Sequence, residues 1–526
     1  MQRQLNKRRL SEDEEIKAAG LTLDFDEIAK RGTMSKEEAS IAKWYGVYGS
    51  RQAGNLMARI VVPGGVITTA QARQIAKTAE NHAQGRLNIT TRQSIQYHWL
   101  KVPRVPDMMR ELATENVTTY HGCGDVNRNT AACPMAENCA HARLNVRPYA
   151  RETARLLAAS HDLDNLPRKF KVTWSGCKAA CAQPYMNCLG MIAVTAEIDG
   201  ERQTGFQAVI GGGMGWKGFV AKELFSFVPA DRAVLLTRAV AQLFRDHGDR
   251  FNRAKARLKF VVHRLGIERC REIVIENLHK EEVSTEGFRT EPAPDVLGPV
   301  PKRPLVDSAY KTADGSAVVR VRIPQGELTT RQLSALAEIS DTYADQRIYT
   351  TNRQNIELHG IDPAKRDAAL AAVHALKFET DGIEGIRDIV PCVGTTYCPK
   401  AVATTRDLNA LLEPVVREPQ YKPVEEFVRI NITGCPNSCS PYRIVDIGFR
   451  GMRIREERGS VEGWEMLIGG HETAHGRKLG DFKTDDCPTI TRTVLDTFIA
   501  LRQDDETLTD CVNRVGMDPF RKAVLQ

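Results

Sequence analysis

The sequence predicts an α+β fold built twice, its two copies joined about a pseudo-two-fold axis with a cleft between them. Three observations carry that reading. PGGVITTAQ from Pro63 is answered by PQGELTTRQ from Pro324, and TTRQSIQYH from Thr90 by TNRQNIELH from Thr351, both at one gapless offset of 261 residues. SGCKAAC around Cys177 is answered by TGCPNSC around Cys435, and VIGGG from Val209 by LIGGH from Leu467, at an offset of 258. Within each copy a strand-like run (ARIVVP, VVRVRIP) precedes a helical one (TTAQARQIAKTAENHA, TTRQLSALAEISDTYA), with a Thr pair placed to cap the helix.

In chain order, residues 1–55 read as an N-terminal arm and 56–118 as a strand–helix half-domain. Residues 119–285 form a larger domain of the first copy. The stretch STEGFRTEPAPDVLGPVPKRPLVDS is rich in proline and charge, so 286–312 reads as a linker. Residues 313–380 repeat the half-domain, and 381–526 repeat the larger domain. The two half-domains are expected to join into one sheet.

A chain of 526 residues exceeds a single core and calls for two to four domains. Its net charge of +7, from 73 basic and 66 acidic residues, is too small and dispersed to indicate nucleic acid. It suits anionic small ligands or an acidic protein partner. No apolar run approaches the roughly 20 residues of a membrane span. MQRQLNKRRLSEDEE follows Arg8-Arg9 with acids instead of an apolar segment, so the expected compartment is the cytoplasm. There, 13 cysteines serve metal binding or packing better than disulfides.

Cys392-x5-Cys398 and Cys435-x3-Cys439 place four thiols on two loops that also carry Gly394, Pro399, Gly434 and Pro436. Four thiolates are the usual complement of a [4Fe–4S] cluster. Zinc competes but favours tighter pairs on both loops, and four unconnected core cysteines are the bland alternative. In the first half, Cys177 and Cys181 align with Cys435 and Cys439, but Cys123 finds no matching place beside Cys392. Cys123, Cys133, Cys177 and Cys181 therefore read as core or relic residues. Cys139, Cys188, Cys270, Cys487 and Cys511 show no paired spacing and read as packing residues.

C-x5-C followed by GCPNxC resembles the siroheme and [4Fe–4S] sulfite and nitrite reductases. The resemblance extends through LNITTRQSIQYH, CGDVNRN, LPRKFK, VIGGG, the duplicated halves and CVNRVGMDPF, nearly the whole chain. It implies three domains, with ferredoxin-like half-domains, α/β siroheme and cluster domains, siroheme in the cleft, and Cys392, Cys398, Cys435 and Cys439 on the cluster. By the same resemblance Cys439 bridges to the siroheme iron. Arg59, Arg128, Lys169 and Lys171 match the family's anion-binding positions. Alternation in Lys169-Phe170-Lys171 puts both ammonium groups on one face, with Phe170 behind. Without the family, that triplet reads as a half-exposed strand. Thr90, Arg92, Gln96, His98, Arg168 and Asn437 are implied to seat the siroheme, together with the run Arg253, Lys255, Arg257 and Lys259. His98 alone reads as a structural histidine, and the basic run alone as a solvated helix face. Asn88 departs from the pattern, standing where sulfite reductases often carry arginine.

RKFK, where nitrite reductases typically show RKFN, implies reduction of sulfite to sulfide. A second ammonium helps more with the more highly charged anion. KWYGVYGSRQAG resembles ferredoxin-dependent members, many of which reduce nitrite to ammonia, so that alternative stands. GGGMG at Gly211 lacks the GxGxxG form, and no flavin or nicotinamide fingerprint is present. Electrons are thus expected from a ferredoxin or a separate flavoprotein subunit. Two rivals are a non-catalytic iron–sulfur electron carrier, which leaves the four basic residues without purpose, and the related cobalamin-biosynthesis monooxygenase, which is generally shorter.

Overall fold

The structure, a computed structural model, describes residues 10–457 and 459–525; Arg8-Arg9 lies outside them. Three short helices, α1 (Glu12–Ala18), α2 (Phe25–Arg31) and α3 (Lys36–Ile41), lead into β1 (Val47–Gly49) and β2 (Leu56–Ile60). After a Pro63–Gly65 turn come β3 (Val66–Thr68), α4 (Thr69–His82), β4 (Arg86–Ile89), β5 (Ile95–Leu100) and α5 (Val105–Ala113). Thr68 caps α4: its hydroxyl accepts from the Gln71 amide while Gln71 Oε1 accepts from the Thr68 amide.

The first large lobe holds β6 (Ala131–Ala132), α6 (Arg147–Ala159), β7 (Val172–Ser175), β8 (Leu189–Ile198), β9 (Glu201–Ile210), β10 (Lys222–Pro229), α7 (Ala233–His247), α8 (Leu258–Leu265) and α9 (Ile267–Lys280). The second half-domain follows with β11 (Ala317–Val321), β12 (Glu327–Thr329), α10 (Thr330–Tyr343), β13 (Arg347–Thr350), β14 (Ile356–Ile361) and α11 (Arg366–Ala375). Thr329 and Gln332 repeat the capping box on α10. The last lobe holds β15 (Val390–Pro391), α12 (Gly394–Tyr397), α13 (Thr405–Val416), β16 (Ile430–Thr433), β17 (Ile447–Glu456), β18 (Gly459–Ile468), β19 (Arg477–Lys483), α14 (Cys487–Leu501), α15 (Leu508–Val515) and α16 (Asp518–Leu525).

The lobes share one topology. Sheet β6-β7-β8-β9-β10 is parallel across β6, β7 and β8 and antiparallel beyond, and β15-β16-β17-β18-β19 repeats the pattern. Each lobe packs its helices over its own apolar core, around Trp174 and Phe206 in one and Trp464 and Phe449 in the other.

The half-domains do not form the single expected sheet. They form two, β1-β2-β5-β4-β12 and β11-β14-β13-β3, and each receives one strand from the other copy. Glu327 pairs with Asn88 across β12 and β4, and Ile348 with Ile67 across β13 and β3. The turn before each helix throws its short strand across the two-fold, where it covers a partner's edge. One shared core runs under both sheets, from Ile60 and Tyr97 to Leu336 and Leu358.

Two segments are more closely packed than their composition suggested. Glu14 and Lys17 of α1 are buried, with Lys17 Nζ bonded to Leu166 O at 3.0 Å. Between the copies, Leu305 and Val306 are buried and Arg303 pairs with Asp446. No helix among the described residues is long and apolar enough to cross a membrane.

Candidate active site

A cavity of about 330 Å³ lies where the half-domain sheets, both lobes and the N-terminal helices meet. It brings together Arg59, Arg128, Lys169 and Lys171; Thr90, Arg92, Gln96, His98, Arg168 and Asn437; and the four cysteines.

The thiols sit on loops issuing from parallel strands. Cys392 follows β15 directly, Cys398 follows α12, and Cys435 and Cys439 follow β16. The Gly434 amide donates to Cys392 Sγ at 3.2 Å. A Cβ on Gly434 would meet Ala403 O at 2.9 Å and Gly394 Cα at 3.3 Å, so the two loops touch through glycines. All thirteen cysteines are free. Burial pushes the Cys392 thiol up to about 12 and raises Cys398 and Cys435 as well. These thiols need a strong electrophile to become thiolates. No three His, Cys, Asp or Glu side chains among the described residues converge as ligands of a single ion do. In a four-iron cluster each thiolate meets its own iron, so four thiols spread round one end of a cavity fit that group.

Much of the remaining lining is cationic. Arg59 on β2 and Arg128 both donate to Gly122 O, at 3.1 and 3.2 Å, and Arg128 Nε donates to Gly124 O at 2.8 Å. Phe170 is fully buried in the first lobe, with Lys169 and Lys171 on either side of it facing the cavity. The residues lie in the extended segment that enters β7. Neither lysine's ammonium group has a hydrogen bond or ion pair among the described residues. Burial, then neighbouring arginines, hold both ammonium groups well below their ordinary range. Burial also lowers Arg92 to about 9 and Arg128 to about 10. So much uncompensated positive charge is a receptor for polyanions, which fits both a carboxylate-rich tetrapyrrole and an oxyanion.

The remaining wall differs in detail from expectation. Arg92 is already held by Asn187 Oδ1 (2.7 Å), Asn129 O (2.6 Å) and Val172 O (3.1 Å). His98 lies flat on Tyr397, ring centres 3.8 Å apart, with neither ring nitrogen bonded. Burial, then Arg406, lowers it to about 3, so it is a neutral imidazole and not a cation. The run expected along 253–259 divides. Arg253 lines the cavity, Lys255 is exposed, Arg257 donates to Cys188 Sγ at 3.2 Å, and Lys259 bonds Gly213 O at 3.3 Å. A helical turn rotates alternate residues to different faces, which dissolves the apparent stripe. Asn88 is buried, bonded to Gln325 O beneath the sheet, and does not reach the cavity. Cys123 belongs here, accepting from Arg59 Nη1 at 3.2 Å, and not with the other first-half cysteines.

Several wall residues carried no sequence signal. Asp125 ties together Arg168 (2.9 Å), Arg253 (2.8 Å) and Lys17 (3.4 Å). Against burial, those cations hold its carboxyl well below the usual range. Thr91 donates to Cys439 O at 2.8 Å, latching the half-domain to the cysteine loop. Asp13, Lys17, Lys43, Trp44 and Tyr48 close the wall from the N-terminal segment.

Comparison with known proteins agrees with this arrangement. The family described as nitrite and sulphite reductase 4Fe-4S domain matches residues 123–282 and 382–526. The nitrite/sulfite reductase ferredoxin-like half domain matches 48–114 and 310–376. A sulfite reductase [ferredoxin] of Mycobacterium tuberculosis is 29% identical, covering 97% of this chain and 96% of its own. An assimilatory ferredoxin-dependent nitrite reductase of Haloferax mediterranei is also 29% identical, covering 94% and 89%. The structure of the Mycobacterium tuberculosis NirA protein superposes with a TM-score of 0.85 at 28% identity, covering 97% of this chain and 98% of that one. The chain belongs to the nitrite and sulfite reductase family, an oxidoreductase family with siroheme and a [4Fe–4S] cluster as its cofactors.

Proposed function

We propose that this protein reduces sulfite to sulfide, taking electrons one at a time from a ferredoxin-type protein. The overall reaction balances as bisulfite plus six electrons and six protons giving hydrosulfide and three waters. The observation that carries the reading is Lys171, a second unpartnered ammonium beside Lys169 in the cavity that Arg59 and Arg128 also line. Sulfite brings up to two charges and three oxygens, and each oxygen that leaves needs protons and a donor to steady its charge.

In this reading Cys392, Cys398, Cys435 and Cys439 would hold the cluster. Thr90, Arg92, Gln96, Arg168, Asn437 and Arg253 face the siroheme carboxylates, and His98 packs beside them as a neutral ring. When bound, siroheme supplies the iron that takes the substrate, and the cluster supplies its electrons. Arg59 and Arg128, fixed through the Gly122 carbonyl, orient the oxyanion. Lys169 and Lys171 have ammonium groups disfavoured by burial, so they bind an anion readily and release protons readily. Burial of the lysines between the Phe170 core and the cavity strengthens each of these contacts.

A second reading, nitrite to ammonium with six electrons and eight protons, draws support from the nitrite-reductase relative at equal identity. The deciding experiment supplies dithionite-reduced viologen with sulfite and nitrite side by side, and quantifies sulfide and ammonium. Efficient sulfide formation at micromolar sulfite is the expected result. Ammonium without sulfide would establish the nitrite reading in its place.

A further inference from the structure

We propose that Cys133, Cys139, Cys177 and Cys181 hold a second [4Fe–4S] cluster, in the first lobe, with no siroheme against it. The sequence partner of Cys398 is Cys139, not Cys123. Cys133-x5-Cys139 and Cys392-x5-Cys398 stand 259 residues apart, and Cys177-x3-Cys181 and Cys435-x3-Cys439 stand 258 apart. Both halves therefore contain the whole four-thiol pattern.

The structure repeats much of the backbone seat. Cys133 follows β6 as Cys392 follows β15, and Cys177 follows β7 as Cys435 follows β16. Cys133 N donates to Trp174 O at 3.1 Å, and Cys392 N to Ile432 O at 2.9 Å. The Gly176 amide donates to Cys133 Sγ at 3.3 Å, matching Gly434 to Cys392 Sγ at 3.2 Å. The Ala142 amide donates to Cys139 O at 3.0 Å, as the Ala401 amide does to Cys398 O at 3.3 Å. Ala180 and Ser438 both take the unfavourable left-handed backbone, at φ 58° and 51°, that turns the C-x3-C loop. Even the latch recurs: Asn352 donates to Cys181 O at 2.8 Å, as Thr91 does to Cys439 O. One difference is that the loop from Cys133 to Cys139 is a run of turns where its counterpart is a single helical turn.

Amide-to-sulfur bonds matter chemically, because they stabilise sulfur that carries negative charge and tune cluster potential. The four thiols are free and close enough to raise one another's pKa, with Cys181 under the influence of the other three. Burial is the larger cause, and it pushes Cys133 up to about 12, the same value as Cys392.

What the first lobe lacks is the rest of the site. The space equivalent to the large cavity shrinks to about 20 Å³, filled by residues 302–306 of the connection between the copies. Arg303 there donates to Glu426 O at 2.9 Å and pairs with Asp446. Arg429, the counterpart of Lys171, is engaged with Glu472 at 3.0 Å. That space is too small for a tetrapyrrole, and the cations lining it, Lys302, Arg303 and Arg429, are each paired with a carboxylate. Within one chain, the siroheme side has been filled while the thiol side keeps its four cysteines and the backbone contacts that position them.

The test is a metal count on the full-length protein, purified anaerobically and reconstituted with ferrous iron and sulfide. Non-haem iron and acid-labile sulfide should each reach about eight per siroheme, against about four for a single cluster. Cys133→Ser/Cys177→Ser should return both to about four while siroheme stays at one per chain. Four irons in the reconstituted unsubstituted protein, or zinc in the first lobe, would overturn the proposal, and that count needs no variant to fold. Because it reads metal and not turnover, it is independent of whether sulfite or nitrite is the substrate.

Discussion

Lys171 and His98 show how one cavity sets opposite demands on two basic side chains. Lys171 stays partnerless among arginines, so replacing it by asparagine removes a donor that only a bound oxyanion would engage. Lys171→Asn should lower sulfite turnover by roughly 10- to 100-fold and nitrite turnover by less, read in the paired viologen assay. Equal losses would remove Lys171 as the discriminator. His98 has the contrary behaviour. Folding holds it neutral down to about pH 3, whereas the unfolded chain protonates it near the ordinary histidine value of about 6.5. Below 6.5 the unfolded state therefore binds the extra proton, and the stability His98 contributes at neutral pH is lost as pH falls from 6.5 toward 3. His98→Phe should flatten that acid limb by about 1–3 kcal/mol in urea titrations of the cofactor-free protein at pH 7 and pH 4.5. The contiguous motifs LPRKFK and TTRQSIQYH made these residues legible in sequence. Asp125 and Lys17 were not, because a buried ion network joins residues 108 positions apart and leaves no local pattern.

At the scale of elements, the capped helices, the strand runs and the duplicated order were all readable from periodicity and turn residues. The exchange of β3 and β12 was not. Three-residue strands carry too few side chains to declare which sheet they join, and register across a two-fold is a tertiary decision. The basic run at 253–259 failed for the converse reason: a pattern in sequence spacing was broken by a change from turn to helix. The relation of Cys139 to Cys398 shows only across the two copies. Spacing alone, tested at the repeat offset, would have selected it. The glycine contact between cysteine loops makes an elemental prediction. Gly434→Ala places a methyl 2.9 Å from Ala403 O and 3.3 Å from Gly394, which overpacks the turn by about 1–3 kcal/mol. Its iron content and melting temperature should both fall, while siroheme-free folding of the first lobe persists by circular dichroism. An unchanged iron content would show that the loops can separate without loss.

Across the whole molecule, two lobes of one topology have diverged in what they hold. The connection between copies, expected as a linker, is a packed plug in one lobe. Composition could not reveal this, because proline and charge describe a chain without regular structure, whether exposed or wedged between domains. The crossed strands predict that neither copy folds alone. A chain ending near residue 308 should be insoluble or bind hydrophobic dyes, and the complementary piece added in trans should restore solubility to part of it. A soluble, cooperatively melting first half would contradict that dependence.

The crossing also imposes an order of events at the ribosome. The second copy emerges to find β3 already made. β4, by contrast, waits for a partner encoded roughly 240 residues downstream, which at typical translation rates is about 12–50 s. Throughout that interval the nascent protein displays an open strand edge beside half of a shared core, the condition under which chains adhere to their neighbours. Synthesis speed through the first lobe and access to holding chaperones should therefore govern yield more strongly than the stability of the finished enzyme.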